Sequence, residues 1–495
     1  MTNGIDREPA ETDPKLPKPV RRLSWGGLGL PQTLDEYRFR DIAVALVVGL
    51  TIWAYVDVGP HARILAGHLE QHKTDFTVYT EAASAFFDGR DPYRVMNPRG
   101  WYYLYPPLFA IAIAPLTVFD SEAQALAWFA LSVVLGFGCY FEGRRLWGLL
   151  RSEEPREAPR PPSRWVGFAV IFALILPSLD CLQRGQIGIM LLYLLMLGFR
   201  IVVASKSWRG WLLGGVVLAL PAAIKLVPSL PVGFLVAQLW VSAISPRRGG
   251  AARGRALAVT AGVLVGAFLF LFAIPSGFLG WNKNLGYLRT WTTQIAANEN
   301  VGRRSNFDIH SPRNQSLSNA VYLTTASRSL PPEIRSWGND TVRSLRIGVL
   351  VFLAGLGLAN AWGRRDRSLD LALGFSLASA ATLLISPIAW GHYYMIELPA
   401  LIVLPIWLNR QGRGKSAGLV LAFPLVLCWA HYLFLKHVAF FGVLGFGTTV
   451  WFLAVCVLIA RSWKGDHSEA MPSPTTRKSH LRGVKGKREA GSVFY

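Results

Sequence analysis

Apolar stretches long enough, or nearly long enough, to cross a bilayer recur along almost the whole chain, and no other feature constrains its fold as strongly. They cover residues 42–58, 105–119, 122–142, 165–179, 186–204, 210–224, 227–244, 256–275, 344–362, 369–386, 393–408, 417–435 and 438–460. The hydrocarbon core of a membrane takes roughly 20 residues of helix, fewer where the ends are buried in protein. Lipid offers the backbone no hydrogen-bond partners, so each crossing must satisfy its own, which selects helices. The expected fold is all-α and polytopic, with about twelve to thirteen transmembrane or re-entrant helices.

Charge orients these helices. Only 16% of the 495 residues are charged, yet the net charge is +21. Such an excess can mark a nucleic-acid binder, but here the basic residues lie in short clusters between apolar stretches and in both tails. "SPRRGGAARGR" (245–255), "GRRDRS" (363–368) and "NRQGRGKS" (409–416) are examples. That is the positive-inside pattern of a membrane protein, and no nucleic-acid partner is expected. Placing every basic cluster in the cytoplasm requires 105–119 to be re-entrant or broken. It opens on Pro106-Pro107 and contains Pro115, which suits that role. The reading divides the chain into a polar cytoplasmic tail (1–40), a membrane domain (41–460) and a basic, disordered cytoplasmic tail (461–495). Two long outer loops, 59–104 and 276–343, face the other side, where loops of such length are usually functional.

Polar residues able to do chemistry gather at this outer face. "TDFTVYTEAASAFFDGRDPY" (74–93) spaces Phe76, Tyr79, Ala83, Phe86 and Phe87 as one face of a helix that Gly89 and Pro92 stop. Such a helix is expected to lie in the interface with its aromatic face in lipid. Asp75 precedes it, where an acid is either a helix cap or a general base. "LDCLQRGQIG" (179–188) sets Asp180, Gln183, Arg184 and Gln186 between apolar stretches, and Arg184 there is either a snorkeling side chain or an anion ligand. Lys225, in "AAIKLVPSLP", is an ionisable residue at a membrane-helix end, where a lysine either snorkels to the interface or binds a phosphate oxygen. Asn314 and Gln315, in "HSPRNQSLSNA", suit sugar hydroxyls. "ISPIAWGHYYMIELP" (385–399) adds Trp390, a platform for a sugar face, with His392 and Tyr393. The four cysteines lack metal-ligand spacing and 59–104 lacks an Asp-x-Asp pair, so neither a metal nor another cofactor is expected.

Taken in order, "DFTVYTEAASAFFDGRDPY", "YPPLFAIAIAPL", "RGQIG", "AAIKLVPSLP", "NQSLSNA" and "SPIAWGHYY" resemble the family 87 glycosyltransferases of the C-type superfamily. These are bacterial polyprenyl-phosphate-mannose-dependent mannosyltransferases. The resemblance implies a C-type glycosyltransferase fold with a large first outer loop, in the bacterial inner membrane, with its active site facing outward. It implies a polyprenyl-phosphate sugar as donor, a lipid or glycan acceptor, inversion at the anomeric carbon and Asp75 as base. Lys225 and Arg184 would face the donor phosphate. His392, with Gln186, Asn314, Gln315, Trp390 and Tyr393, would orient sugar or acceptor. The chain departs from the family pattern at Gly188, Ala389 and Tyr393, where asparagine, serine and histidine are common, and these positions bear on the choice of sugar and acceptor. Two other classes compete. A transporter or flippase would carry ionisable residues at mid-span and repeated halves. A lipid-linked polysaccharide polymerase or ligase would present several outer arginines, for which Arg303 and Arg304 are candidates.

Overall fold

The computed structural model describes residues 34–64, 71–152, 163–244, 249–296, 310–325, 332–362, 368–434 and 441–468. In chain order the helices are α1 (Leu34–Trp53), α2 (Phe76–Asp88), α3 (Pro107–Ile113), α4 (Ser121–Ser152), α5 (Ser163–Gln183) and α6 (Gly188–Ala204). There follow α7 (Trp208–Ile224), α8 (Ser229–Ile244), α9 (Gly249–Phe268), α10 (Ile274–Leu279), α11 (Trp281–Thr290) and α12 (Leu317–Thr325). The last five are α13 (Pro332–Trp362), α14 (Ser368–Ile385), α15 (Leu398–Arg410), α16 (Gly414–Leu433) and α17 (Val443–Ser468). Among the described residues the only β pairing is two isolated bridges, Met96 with Tyr102 and Asn314 with Trp390. The chain divides into residues 1–54, whose described part is α1, and residues 55–495.

Among the described residues, every apolar stretch read from the sequence overlaps a helix. Eight helices among the described residues are long and apolar enough to cross a membrane, and five more apolar helices are shorter. One of the short ones is the stretch 105–119, and it is broken as its prolines predict: α3 runs for seven residues and passes into a 3₁₀ turn at Ala114–Val118. The chain is an integral membrane protein.

The core of the bundle is formed by α14 and the segment that follows it. Nearly all of α14 is buried, and its interior hydroxyls are satisfied locally. Ser376, Ser379 and Thr382 donate to carbonyls three or four residues back in their own helix. Where helices cross closely, small residues make room. An added Cβ at Gly262 of α9 would lie 2.1 Å from the Leu212 carbonyl oxygen of α7, and one at Gly215 would lie 2.4 Å from that of Val259. This is the small-residue packing by which membrane helices approach one another.

Three expectations change. Helix α2 forms where predicted and ends at Gly89 in the left-handed region, but its aromatic face does not lie in lipid. Phe76, Tyr79, Ala83 and Phe86 are buried in protein, with Phe76 stacked on Trp128 at 5.0 Å, and only Phe87 on that face is exposed. The spacing of apolar residues is the same for a helix half-sunk in lipid and one packed against its neighbours, so sequence periodicity does not separate them. Among its described residues the segment 276–343 is largely helical, holding α11, α12 and parts of α10 and α13. Helix α17 continues to Ser468, seven residues past Arg461.

Candidate active site

The site begins where α2 begins. Asp75 stands at its N-cap position, yet its carboxylate makes no capping bond. The amide of Phe76 donates instead to Thr74 Oγ1 at 3.1 Å, which frees the acid for other partners. Both carboxylate oxygens are engaged. Arg99 Nη1 donates to Oδ1 at 2.7 Å, and Gln186 Nε2 donates to Oδ2 at 2.8 Å. Asp75 is 7% exposed, so these bonds stand in for water that it has mostly lost.

Backbone geometry holds this arrangement. The turn between α5 and α6 bonds directly to the start of α2, with the Asp75 amide donating to the Arg184 carbonyl at 2.8 Å. That approach requires glycine at 185. Its φ is +63°, and a Cβ there would sit 2.8 Å from both Phe76 Cβ and Thr74 Oγ1. On the other side, Asn97 fastens the loop carrying Arg99. Its Oδ1 accepts from the amides of Arg99 and Trp101, and its Nδ2 donates to Thr77 Oγ1 at 3.1 Å. Thr77 Oγ1 also pairs with Nε2 of His72 at 2.8 Å. Burial lowers the His72 pKa, and the neutral ring gives Thr77 an acceptor for its hydroxyl proton.

From Gln186 a line of polar groups runs inward. Tyr79 donates to Gln186 Oε1 at 3.4 Å and lies 3.5 Å from the Tyr105 hydroxyl. Burial pushes the Tyr79 phenol well above its ordinary value, so it stays a neutral donor. Lys225, at the C-terminal end of α7, donates to Tyr393 at 2.7 Å and to Tyr105 at 3.4 Å. Its ammonium also lies 4.1 Å from the Tyr393 ring centre, a cation–π contact. Asp75, Gln186, Lys225 and Tyr393, separated by more than three hundred residues, thus belong to one connected array.

A second array adjoins it through Arg184. Asp180 accepts from Arg184 Nε at 2.7 Å on one oxygen, and on the other from the Tyr432 hydroxyl at 3.2 Å, with His392 Nδ1 also 3.2 Å away. Burial opposes the charge of Arg184, but Asp180 and Asp75 outweigh it and hold its pKa above the ordinary value. The carboxylate fixes the proton of His392 on Nδ1, which leaves Nε2 as an acceptor. That nitrogen is buried and has no hydrogen-bond partner in the protein.

Trp390 lies at the rim, its ring 6.4 Å from Trp101, whose ring in turn lies 5.6 Å from the Arg99 guanidinium. Asn314 and Gln315 stand one step back from this surface, at 1% and 0% exposure. Asn314 Oδ1 accepts from the Ala389 amide, while Gln315 donates to the Pro312 carbonyl and accepts from the Leu444 amide. The Asn314 side chain and the Gln315 backbone amide, which donates to the Ala389 carbonyl at 2.7 Å, thus pin the segment before Trp390, while the Gln315 side chain ties its own loop to the start of α17.

Sequence reading assigned no role to Arg99, Asp180, Tyr105 or Tyr432. The signal for Arg99 was the turn "NPRGW", in which Asn97 and Gly100 shape the backbone. Arg303 and Arg304 lie outside the described residues. Among the described residues no group of three His, Cys, Asp or Glu side chains is placed to hold a metal ion.

Comparison with known proteins places the chain in a family. The chain is 26% identical over 397 residues to a polyprenol-phosphate-mannose-dependent alpha-(1-2)-phosphatidylinositol mannoside mannosyltransferase of Mycobacterium tuberculosis, covering 77% of this chain and 81% of that one. It is 25% identical over 482 residues to the protein of the same name in Mycolicibacterium smegmatis, covering 91% and 96%. Among solved structures, ArnT from Cupriavidus metallidurans bound to undecaprenyl phosphate aligns with a TM-score of 0.40 and 17% identity, over 86% of this chain and 79% of that one. The family model described as Glycosyltransferase family 87 matches residues 103–387, more than half of the sequence and the part that carries Arg184, Gln186 and Lys225, so the chain belongs to glycosyltransferase family 87.

Proposed function

We propose that the protein transfers a hexose, mannose, from a polyprenyl-phosphate donor to a hydroxyl of a lipid or glycan acceptor. Transfer takes place at the outer face of the bacterial inner membrane, with inversion at the anomeric carbon. The acceptor oxygen attacks that carbon as its proton passes to Asp75. The bond from the carbon to the phosphate oxygen breaks on the opposite face, and its electron pair leaves with the lipid phosphate.

One observation carries this reading: a buried carboxylate and a set of cations occupy a single hydrogen-bonded site. Arg99 pairs with Asp75 and Arg184 with Asp180, whereas Lys225 is held by the hydroxyls of Tyr393 and Tyr105. An ammonium held by neutral hydroxyls, with Arg184 nearby, suits a phosphate group whose negative charge grows as it leaves. The two relatives bear names that specify a polyprenol-phosphate-mannose donor, which supports the choice of donor and sugar.

The test is incubation of purified protein with a panel of polyprenyl-phosphate sugars and a glycolipid acceptor extract, measuring release of polyprenyl phosphate. Release with the mannose donor and not with lipid-pyrophosphate sugars is expected. Release from pyrophosphate donors alone would turn the assignment to a polymerase or ligase.

A further inference from the structure

We propose that Arg99 is a positioning residue for this transfer: it clamps the Asp75 carboxylate so that Oδ2 is the atom that takes the acceptor proton. The inference rests on the assignment of Asp75 as the base. Three observations lead to it.

The two carboxylate oxygens are not equivalent. Oδ1 accepts from a guanidinium at 2.7 Å, a charge-assisted bond about twice as strong as a neutral one. Oδ2 accepts from the neutral amide of Gln186 at 2.8 Å. Each carboxylate oxygen has two lone-pair sites. Each oxygen keeps one lone pair, but the electron density of Oδ1 is drawn toward a cation, whereas Oδ2 has a neutral and weaker partner. Oδ2 is therefore the more basic oxygen, and the proton of the acceptor hydroxyl goes there.

Arg99 is itself held in place. The nitrogen that binds Asp75 also donates to the Lys73 carbonyl at 2.7 Å, two residues before the acid. The backbone amide of Arg99 is fixed by Asn97, and the guanidinium lies 5.6 Å from the Trp101 ring centre. An arginine tied at backbone, nitrogen and face is a template for its partner, unlike a mobile surface cation. Arg99 belongs to the loop before α3, whereas Gln186 lies between α5 and α6. Two separate parts of the fold thus fix one carboxyl plane from opposite ends.

The pairing also retains a burial cost. Burial lowers the Arg99 pKa, although Asp75 opposes that effect. A partly buried arginine beside other cations, with Arg184 and Arg313 acting against its charge, is poorly explained by stability alone.

Three variants and a double mutant test this. Arg99→Gln is expected to lower kcat about 10-fold to 100-fold, the scale of a misplaced reacting group, without changing donor affinity. In an Asp75→Asn background the same substitution should cost nothing further, because the group it positions has gone. Arg99→Lys keeps a cation that can reach both acceptors and should recover part of the loss. It also supplies the comparison if the glutamine variant does not fold, since its kcat should then lie below wild type at unchanged donor affinity. Methylguanidinium, added far below denaturing concentration, should raise kcat of Arg99→Ala. Wild-type kcat in both the glutamine and lysine variants, weakened donor binding, or an equal fold-loss in both backgrounds would overturn the proposal and leave the transferase assignment intact. Wild-type protein that releases no polyprenyl phosphate would overturn that assignment and this inference together.

Discussion

Lys225 separates the roles a partly buried cation can have in this site. If its ammonium only ties Tyr105 to Tyr393, its removal lowers Tm and leaves turnover of the folded fraction unchanged. If it faces the leaving phosphate, it stabilises charge that grows as the bond breaks, and kcat must fall. Lys225→Gln is expected to cost about 2–4 kcal/mol of transition-state stabilisation, measured from kcat/KM. Lys225→Arg should keep part of the activity, since the charge survives while the geometry changes. Asp75→Asn removes the base and preserves its shape, and no capping bond is lost because the carboxylate makes none. Turnover should drop at least about 100-fold with donor binding retained. Near-normal turnover would dismiss Asp75 as the base. At this scale the sequence was informative about residue types and silent about pairing. Asp75, Gln186 and Lys225 stood out because ionisable or amide side chains are costly near a membrane without a task. Arg99 did not, because nothing in a sequence shows which of many loop arginines turns inward. Asn314 and Gln315 were legible as hydrogen-bonding residues, but whether a polar side chain meets a ligand or a backbone depends on the fold around it.

Among the elements, the turn between α5 and α6 is the joint on which the site depends. It carries Arg184 and Gln186, and its fit against α2 is set by Gly185. Gly185→Ala places a side chain in the left-handed region, at a cost of about 1–2 kcal/mol, and drives a methyl group into Phe76 and Thr74. The turn must then shift, and Gln186 moves with it, away from Asp75. Activity should fall more than the change in Tm explains, an effect read by comparing kcat with thermal unfolding of the same preparation. A fall in Tm with unchanged kcat would mean that the turn supports the fold and not the carboxylate. Helix positions were readable because a bilayer imposes length and apolarity on each crossing. The partner of α2 was not, since its aromatic face suits a lipid surface and a cleft between Tyr103, Phe109 and Trp128 equally well. The broken α3 was readable for a different reason: proline restricts the backbone wherever it stands.

For the whole molecule, orientation decides which reservoir of substrates the site meets, and it follows from charge. The exposed Lys206 and Gln411 lie beside basic connections, after α6 and after α15. The exposed Arg90 and Arg313 lie in the segments that supply Arg99 and pin Trp390. With basic connections in the cytoplasm, the first pair lies inside the cell and the second outside. The native cysteines Cys139, Cys181 and Cys428 are buried, and Cys456 is partly so and is replaced by serine as a precaution. Single cysteines at 206 and 411 should react with a membrane-impermeant maleimide only after permeabilisation, while those at 90 and 313 should react in intact cells. This outcome requires an odd number of crossings between 90 and 206, and again between 313 and 411. The broken α3 makes the first count sensitive to its path: α4, α5 and α6 alone give three, and a full crossing by 105–119 would make four. Labelling at both 90 and 206 from the same side would therefore show that the short segment traverses the membrane. Labelling at 90 from outside and 206 from inside leaves it re-entrant, with Asp75 at the outer face where a lipid-borne donor and an external acceptor can meet.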